Sequence, residues 1–289
     1  MKFRKKKILV TGASGFVARN IAASMNPEEF RLYGLSRHPR KDEIWEHSYP
    51  IDITKPFSLQ EHFDAVIHLA AFNRTHIGAG ESYQQYYDVN VKGTEHVAAG
   101  CSYDKFIFMS TASLYRKTGG IADETAEIEA KGCYARSKEE AEQICRQIIP
   151  EEKRVILRSV NVAGPGQGRV ALLPVLFHNA RSGAALNIFV PENRIMQFVH
   201  VTDLTGILER IIRMDHSGVY NVVGTKAVEI RQLAEKVLEL CRSSSKLLTS
   251  GEFEETVTIC GEKLRGETGW EPKMPLESIL EEQMKETDL

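Results

Sequence analysis

The sequence predicts an α/β fold, a doubly wound parallel sheet with helices on both faces and a smaller α+β region after it. Three observations predict this. A short apolar run at 7–10 passes through a glycine-rich turn into helically spaced apolar residues at 16–25, buried-strand runs then alternate with helical patterns to about residue 157, and the alternation weakens beyond Gly164. Parallel strands need crossover connections, and these pack as helices over the sheet.

In chain order, the spacing predicts strands at 7–10, 31–35, 65–70, 105–109 and 154–157. The helices between them fall at 16–25, 83–101 and 132–149. Further on, helices are predicted at 170–181, 203–214, 230–241 and 276–285, with short strand-like pieces such as Tyr220-Asn221-Val222-Val223 between them. The expected division is 1–163 as the domain of the parallel sheet and 164–289 as mainly the smaller region, with part of the second stretch returning to the sheet.

With 289 residues, 42% hydrophobic and 26% charged, the chain has the composition of an ordinary globular protein. A formal net charge of −2 excludes a strong cationic field, so no nucleic acid or membrane partner is expected. The basic run Arg4-Lys5-Lys6-Lys7 reads as a solvated lead-in to the first strand. Apolar runs are too short for a membrane span, and the five cysteines are widely spaced with no Cys-x-x-Cys pair. Reduced thiols, no metal site and a cytoplasmic location are the corresponding expectations.

The turn Val10-Thr11-Gly12-Ala13-Ser14-Gly15-Phe16-Val17-Ala18 sits where the first strand enters the first helix. Glycines there let backbone N–H groups approach a pyrophosphate, which the helix dipole also attracts. The candidate cofactor contacts in this turn are Thr11, Gly12, Ser14, Gly15, Phe16 and Val17. At the end of the second strand an acidic residue would hold the ribose of NAD, but this chain has Ser36-Arg37, followed by Arg40 and Lys41. The charge favours NADP over NAD through Arg37 and a 2′-phosphate. Asp52-Ile53 is read either as an adenine contact or as an ordinary turn.

Tyr134 and Lys138 stand four apart on a predicted helix, hence on one face. A nearby ammonium favours a phenolate, so Lys138 is expected to lower the Tyr134 pKa and fit it for proton transfer with a carbonyl or alcohol.

The order of these motifs resembles the extended short-chain dehydrogenases, the NAD-dependent epimerase/dehydratase family, over nearly the whole chain. His68-Leu69-Ala70-Ala71 resembles the family's fourth-strand end, Asn90-Val91-Lys92-Gly93-Thr94 its Asn-Val-x-Gly-Thr helix, and 106–115 its strand ending in paired hydroxyls. Further matches are Leu157-Arg158-Ser159-Val160-Asn161-Val162-Ala163-Gly164-Pro165, Phe198-Val199-His200-Val201-Thr202-Asp203-Leu204 and Gly269-Trp270-Glu271-Pro272. The resemblance implies a Rossmann-type domain binding NADP or NAD through Leu69, Ala70, Ala71 and Asn90, with Lys138 on the nicotinamide ribose and Val160 near the nicotinamide. It implies Thr111 as the hydroxyl that orients the substrate with Tyr134. Ser110 is the lesser choice, while Asn161 faces a nucleotide-sugar diphosphate. By pattern alone His200 is read as a packing or supporting histidine outside the site. The resemblance also implies a homodimer built on the helices at 83–101 and 132–149.

Several positions depart from the family pattern. Met196 stands where the family has the arginine that pairs with the pyrophosphate, leaving Arg194 as a possible substitute two residues away. Ala112-Ser113 stands where dehydratases carry Asp-Glu, which disfavours water removal across the sugar. Three functions follow: a nucleotide-sugar ketoreductase or epimerase, an NADPH-dependent reductase of another carbonyl, or a cofactor sensor without turnover. The presence of Thr111, Tyr134 and Lys138 together argues against the last.

Overall fold

The computed structural model describes residues 4–39, 44–73, 82–188, 191, 193–249 and 255–286. They form two compact units. The first comprises Met1–Leu114, Ala130–Ser159 and Leu204–Tyr220, and the second Tyr115–Glu129, Val160–Asp203 and Asn221–Leu289. The sequence reading divides the chain near residue 163, with part of the later stretch returning to the sheet. The fold divides it repeatedly, because packing follows sheet position rather than chain order.

One sheet is formed by β1 (Lys6–Thr11), β2 (Phe30–Ser36), β3 (His47–Pro50), β4 (His62–His68) and β5 (Ser102–Thr111) with the strands Arg154–Ser159 and Gly218–Val222. The seven-stranded order is Gly218–Val222, Arg154–Ser159, β5, β4, β1, β2, β3. Every pairing from Arg154–Ser159 to β3 is parallel. After β1 the chain first extends the sheet through β2 and β3, then returns to place β4 on the other side. Ligands of open α/β sheets bind beside the carboxyl ends at such a reversal. The strand β3 is absent from the sequence reading, since His-Ser-Tyr-Pro on a half-exposed edge carries no apolar run.

Helix α1 (Phe16–Ser24) follows β1. The segment predicted as one helix at 83–101 is α2 (Tyr83–Tyr86), six residues of π-helix at Tyr87–Lys92, and α3 (Gly93–Gly100). Single π turns are local insertions in a helix and often mark functional positions. Helix α4 (Gly132–Ile148) packs with α3 on the face of the sheet formed by Leu9, Val66, Phe106, Phe108 and Ile156. Its buried stripe is partly polar, taking in Ser137, Lys138 and Glu142 with Ala135, Ala141 and Cys145. Buried polar groups need partners, so this helix is held by specific bonds as well as by apolar area.

The second unit has a three-stranded sheet in the order Ala227–Glu229, Ile195–His200, Asn161–Ala163. Around it Phe177, Met196, Phe198, Leu233 and Ile279 close one apolar cluster with the helices Leu172–Ser182, Ile230–Leu240 and Leu276–Glu286. His200 is buried, with Nδ1 2.7 Å from Thr202 Oγ1 and Nε2 2.7 Å from Glu282 Oε2. Both ring nitrogens are thereby engaged by protein groups.

Candidate active site

The β1–α1 turn is shaped by one glycine. Gly12 has φ +70, and a Cβ there would meet the Cα and N of Ala70 at 3.0 Å. Both conditions require glycine. The turn therefore lies directly on the end of β4. Gly15 N donates to Gly12 O at 2.8 Å, and Gly15 caps α1, whose first N–H groups have no partner within the helix.

A cleft of about 710 Å³ opens at this turn. Among the residues expected to contact a cofactor, Gly12, Ser14 and Gly15 line it at the turn and Leu69, Ala70 and Ala71 at the end of β4. Ser36, Arg37, Asp52 and Ile53 line its far end, together with Thr54 and Lys55, which the sequence reading omitted. Ser36 Oγ is buried with no hydrogen-bond partner among the described residues. Such an orphan at the wall of a cleft suits a ligand hydroxyl or phosphate. The Asp52 carboxyl accepts from the Thr54 N–H at 3.0 Å and the Thr54 hydroxyl at 2.9 Å. These bonds hold it below the ordinary carboxylate range against the opposing effect of burial, and the nearby Arg37 charge adds to the lowering. Arg40 and Lys41 lie outside the described residues.

Other expected cofactor contacts are placed elsewhere. Thr11 is fully buried, its hydroxyl 2.6 Å from His68 Nδ1 and accepting from the N–H groups of Leu69 and Ala70 at 3.2 and 3.1 Å. It fixes the end of β4 against β1. Phe16 and Val17 open α1 without lining the cleft. Asn90 is buried in the π segment, and its amide is consumed by protein groups. Oδ1 accepts from Phe72 N at 2.6 Å, while Nδ2 donates to Phe72 O at 3.0 Å and to Ser137 Oγ at 2.8 Å. Ser137 Oγ in turn donates to Tyr134 O at 2.8 Å. Phe72 lines the cleft, so Asn90 joins the cleft wall to the helix that carries Tyr134.

Gly132 opens α4 at φ +81 and places Tyr134 in its first turn. Burial pushes the Tyr134 phenol up to about 12, with no lowering from Lys138. This corrects the expected effect of the lysine. Lys138 is itself buried, its Nζ 3.9 Å from the centroid of the Phe108 ring of β5. Burial pushes its ammonium down to about 8, while Cys145 and Glu142 act in the opposite direction. Desolvation thus outweighs charge coupling at both groups. Neither residue lines the cleft.

Thr111 ends β5, half-buried, with its hydroxyl 2.8 Å from Ser113 Oγ. Ser110 is buried and donates to Glu142 Oε1 at 2.6 Å. Its hydroxyl is engaged by this carboxylate, whereas the expectation by resemblance has it as the lesser choice for a substrate hydroxyl. The same carboxylate takes Arg158 Nε at 3.0 Å and Arg158 Nη2 at 2.8 Å. The sequence reading missed this Glu142–Arg158 pair, although Glu142 repeats the four-residue step from Tyr134 to Lys138.

The remaining assignments fall in the second unit. Val160 N donates to Val222 O at 3.1 Å, and the exposed Asn161 donates from Nδ2 to Gln197 O at 3.1 Å. Met196 is buried in the apolar cluster, so no cation stands at the family's arginine position. The Arg194 side chain is half-buried. All five cysteines are free thiols. Among the described residues, no helix is long and apolar enough to cross a membrane.

Residues 8–223 match the NAD dependent epimerase/dehydratase family. The chain is 25% identical over 312 residues to dTDP-D-glucose 4,6-dehydratase of Bos taurus, covering 93% of this chain and 85% of the relative. It is 24% identical over 262 residues to ADP-L-glycero-D-manno-heptose-6-epimerase of Brachyspira hyodysenteriae, covering 82% of each. Among solved structures, UDP-glucuronic acid 4-epimerase from Bacillus cereus in complex with UDP-glucuronic acid and NAD superposes with a TM-score of 0.86 at 21% identity, covering 98% of this chain and 99% of that one.

Proposed function

This chain belongs to the NAD-dependent epimerase/dehydratase family, and from that premise we propose that it oxidises and reduces a carbon of a nucleoside-diphosphate sugar, as an epimerase or a 4-ketoreductase. The observation that carries the reading is the buried Lys138 ammonium one helical turn from Tyr134, packed on the strand that ends in Thr111. A buried ammonium is costly to fold and is kept where its charge is used.

The cleft fits a nicotinamide dinucleotide. The Gly12 turn and the start of α1 would take the pyrophosphate, and Ser36, Arg37 and Asp52 the adenosine end. Bound there, the dinucleotide supplies hydride acceptance and donation. Tyr134, protonated at neutral pH, donates its proton to the substrate oxygen when a carbonyl is reduced, and the phenolate so formed takes the proton back from the alcohol in the reverse direction. Thr111 orients that oxygen. Lys138 supplies positive charge as negative charge develops on the oxygen.

The relatives' names favour NAD, while Ser36-Arg37 favours the extra phosphate of NADP. In the second unit, Asn161 and Arg194 are retained as substrate contacts by resemblance. The burial of Met196 favours a second reading, an NADPH-dependent reductase of a carbonyl without a diphosphate. Both readings place a reduced-thiol enzyme in the cytoplasm.

Mass spectrometry of ligands retained on purification, followed by assay of the retained sugar nucleotide, tests the proposal. Interconversion without net nicotinamide consumption marks the epimerase, and stoichiometric NAD(P)H oxidation the reductase. Absence of turnover with every nucleotide sugar retained, alongside turnover of a simple ketone, would favour the second reading. We also propose a homodimer through α2, α3 and α4. A monomer by sedimentation at micromolar concentration would exclude it.

A further inference from the structure

We propose that Glu142 is a positioning residue for Lys138 and Thr111, a buried carboxylate that pins α4 to the two strands beneath it and supplies the counter-charge to the Lys138 ammonium. The inference deepens the proposed function and rests on it for the part Lys138 plays in turnover.

Ser110 and Arg158 are aligned partners on adjacent parallel strands, and both bond the Glu142 carboxylate. Arg146 Nη2 adds a bond at 2.9 Å from one turn further along α4. Glu142 and Arg158 are both almost wholly buried. Ser110 immediately precedes Thr111, and Glu142 is one helical turn from Lys138. The carboxylate therefore fixes the end of β5 and the height of α4 at one point, between two residues that must meet the same substrate oxygen.

Charge supports the same role. Desolvation lowers Lys138, while Cys145 and Glu142 from its own helix act the other way; Phe108 lies beneath it on β5, and the Lys138 charge adds to the burial that keeps the His68 ring of β4 neutral. Burial pushes the Glu142 carboxyl up, but Arg158 and Ser110 outweigh this and keep it below the ordinary range. It therefore stays ionised at neutral pH and supports the ammonium, which burial has pushed down to about 8. A purely structural Glu142 would hold the helix in place without governing that charge.

The test reads Lys138 directly, in protein labelled at lysine Cε, without substrate. The resonance missing from Lys138→Met identifies the residue, and its chemical shift against pH gives a titration midpoint. Glu142→Gln keeps the side-chain shape and removes the charge, so the midpoint should fall by about one pH unit. Glu142→Met removes the same charge with a side chain of similar length, so the midpoint should fall likewise, and this variant decides the matter if Glu142→Gln does not fold. A folded variant of either kind titrating at the parent midpoint overturns the proposal. Because no turnover is measured, that result leaves the proposed function untouched. Conversely, shifted midpoints in a protein that turns over no nucleotide sugar would reject the proposed function alone.

Discussion

His68 Nε2 lies 3.0 Å from Thr94 Oγ1, and the neighbouring bonds leave one tautomer for the ring. The Thr94 hydroxyl donates its proton to Asn90 O at 2.6 Å, so it can only accept from His68. Nε2 therefore carries the hydrogen and Nδ1 accepts from Thr11. This neutral ring ties the glycine turn to the π segment. Asn90 and Ser137 carry the connection on to Tyr134.

The arrangement predicts acid sensitivity. Burial pushes His68 down to about 3, with the Lys138 charge adding to the effect. The unfolded chain takes up this proton below about pH 6.5 and the folded one only near 3, so stability present above 6.5 is lost as the pH falls through that window. Between pH 6.5 and 5 the loss is up to about 2 kcal/mol. Denaturant titrations of the parent and His68→Gln should show a flatter acid limb in the variant. Parallel limbs would remove His68 as the cause.

Tyr134→Phe keeps the ring and deletes only the transferable proton. Turnover of the true substrate should fall by about 10² to 10⁴, with dinucleotide affinity nearly unchanged. Parent-rate turnover by the variant would overturn the assignment of Tyr134 and return the cofactor-sensor reading.

Lys138→Met should separate stability from activity. Burial lowers the lysine pKa to about 8, so below that pH the fold carries the cost of a buried charge, and this cost is relieved as the pH rises from 8 towards the unfolded value near 10.5. Methionine removes it, so the variant at pH 7 should be more stable by on the order of 1–3 kcal/mol while losing turnover and dinucleotide affinity. A variant less stable than the parent at pH 7 would mean that Lys138 is a net structural contact.

Arg37→Asp should shift dinucleotide preference away from NADPH and towards NADH, since the guanidinium suits a 2′-phosphate and a carboxylate suits a 2′-hydroxyl. Ser36→Ala should weaken both by removing the orphaned hydroxyl. Fluorescence titration of each protein with each cofactor gives the order, and equal affinities throughout would discard the charge argument.

The sequence by itself determined those features that depend on near neighbours in the chain. The apolar period placed β1, α1, β5 and α4 to within a few residues, and the step of four put Tyr134 and Lys138 on one helical face. Glycine at position 12 marked the turn, because a positive φ is a local demand. Only the tertiary structure decided which polar groups remain available to a ligand. Thr11, Asn90 and Ser110 carry the residue types expected of a site, yet their side chains are consumed by His68, Phe72 and Glu142, which lie 57, 18 and 32 residues away along the chain. The lowering of Lys138 likewise arises from burial against Phe108 of β5, 30 residues away along the chain. A hydrogen bond or a desolvated charge is set by three-dimensional neighbours, and residue spacing along one helix or strand carries no record of them.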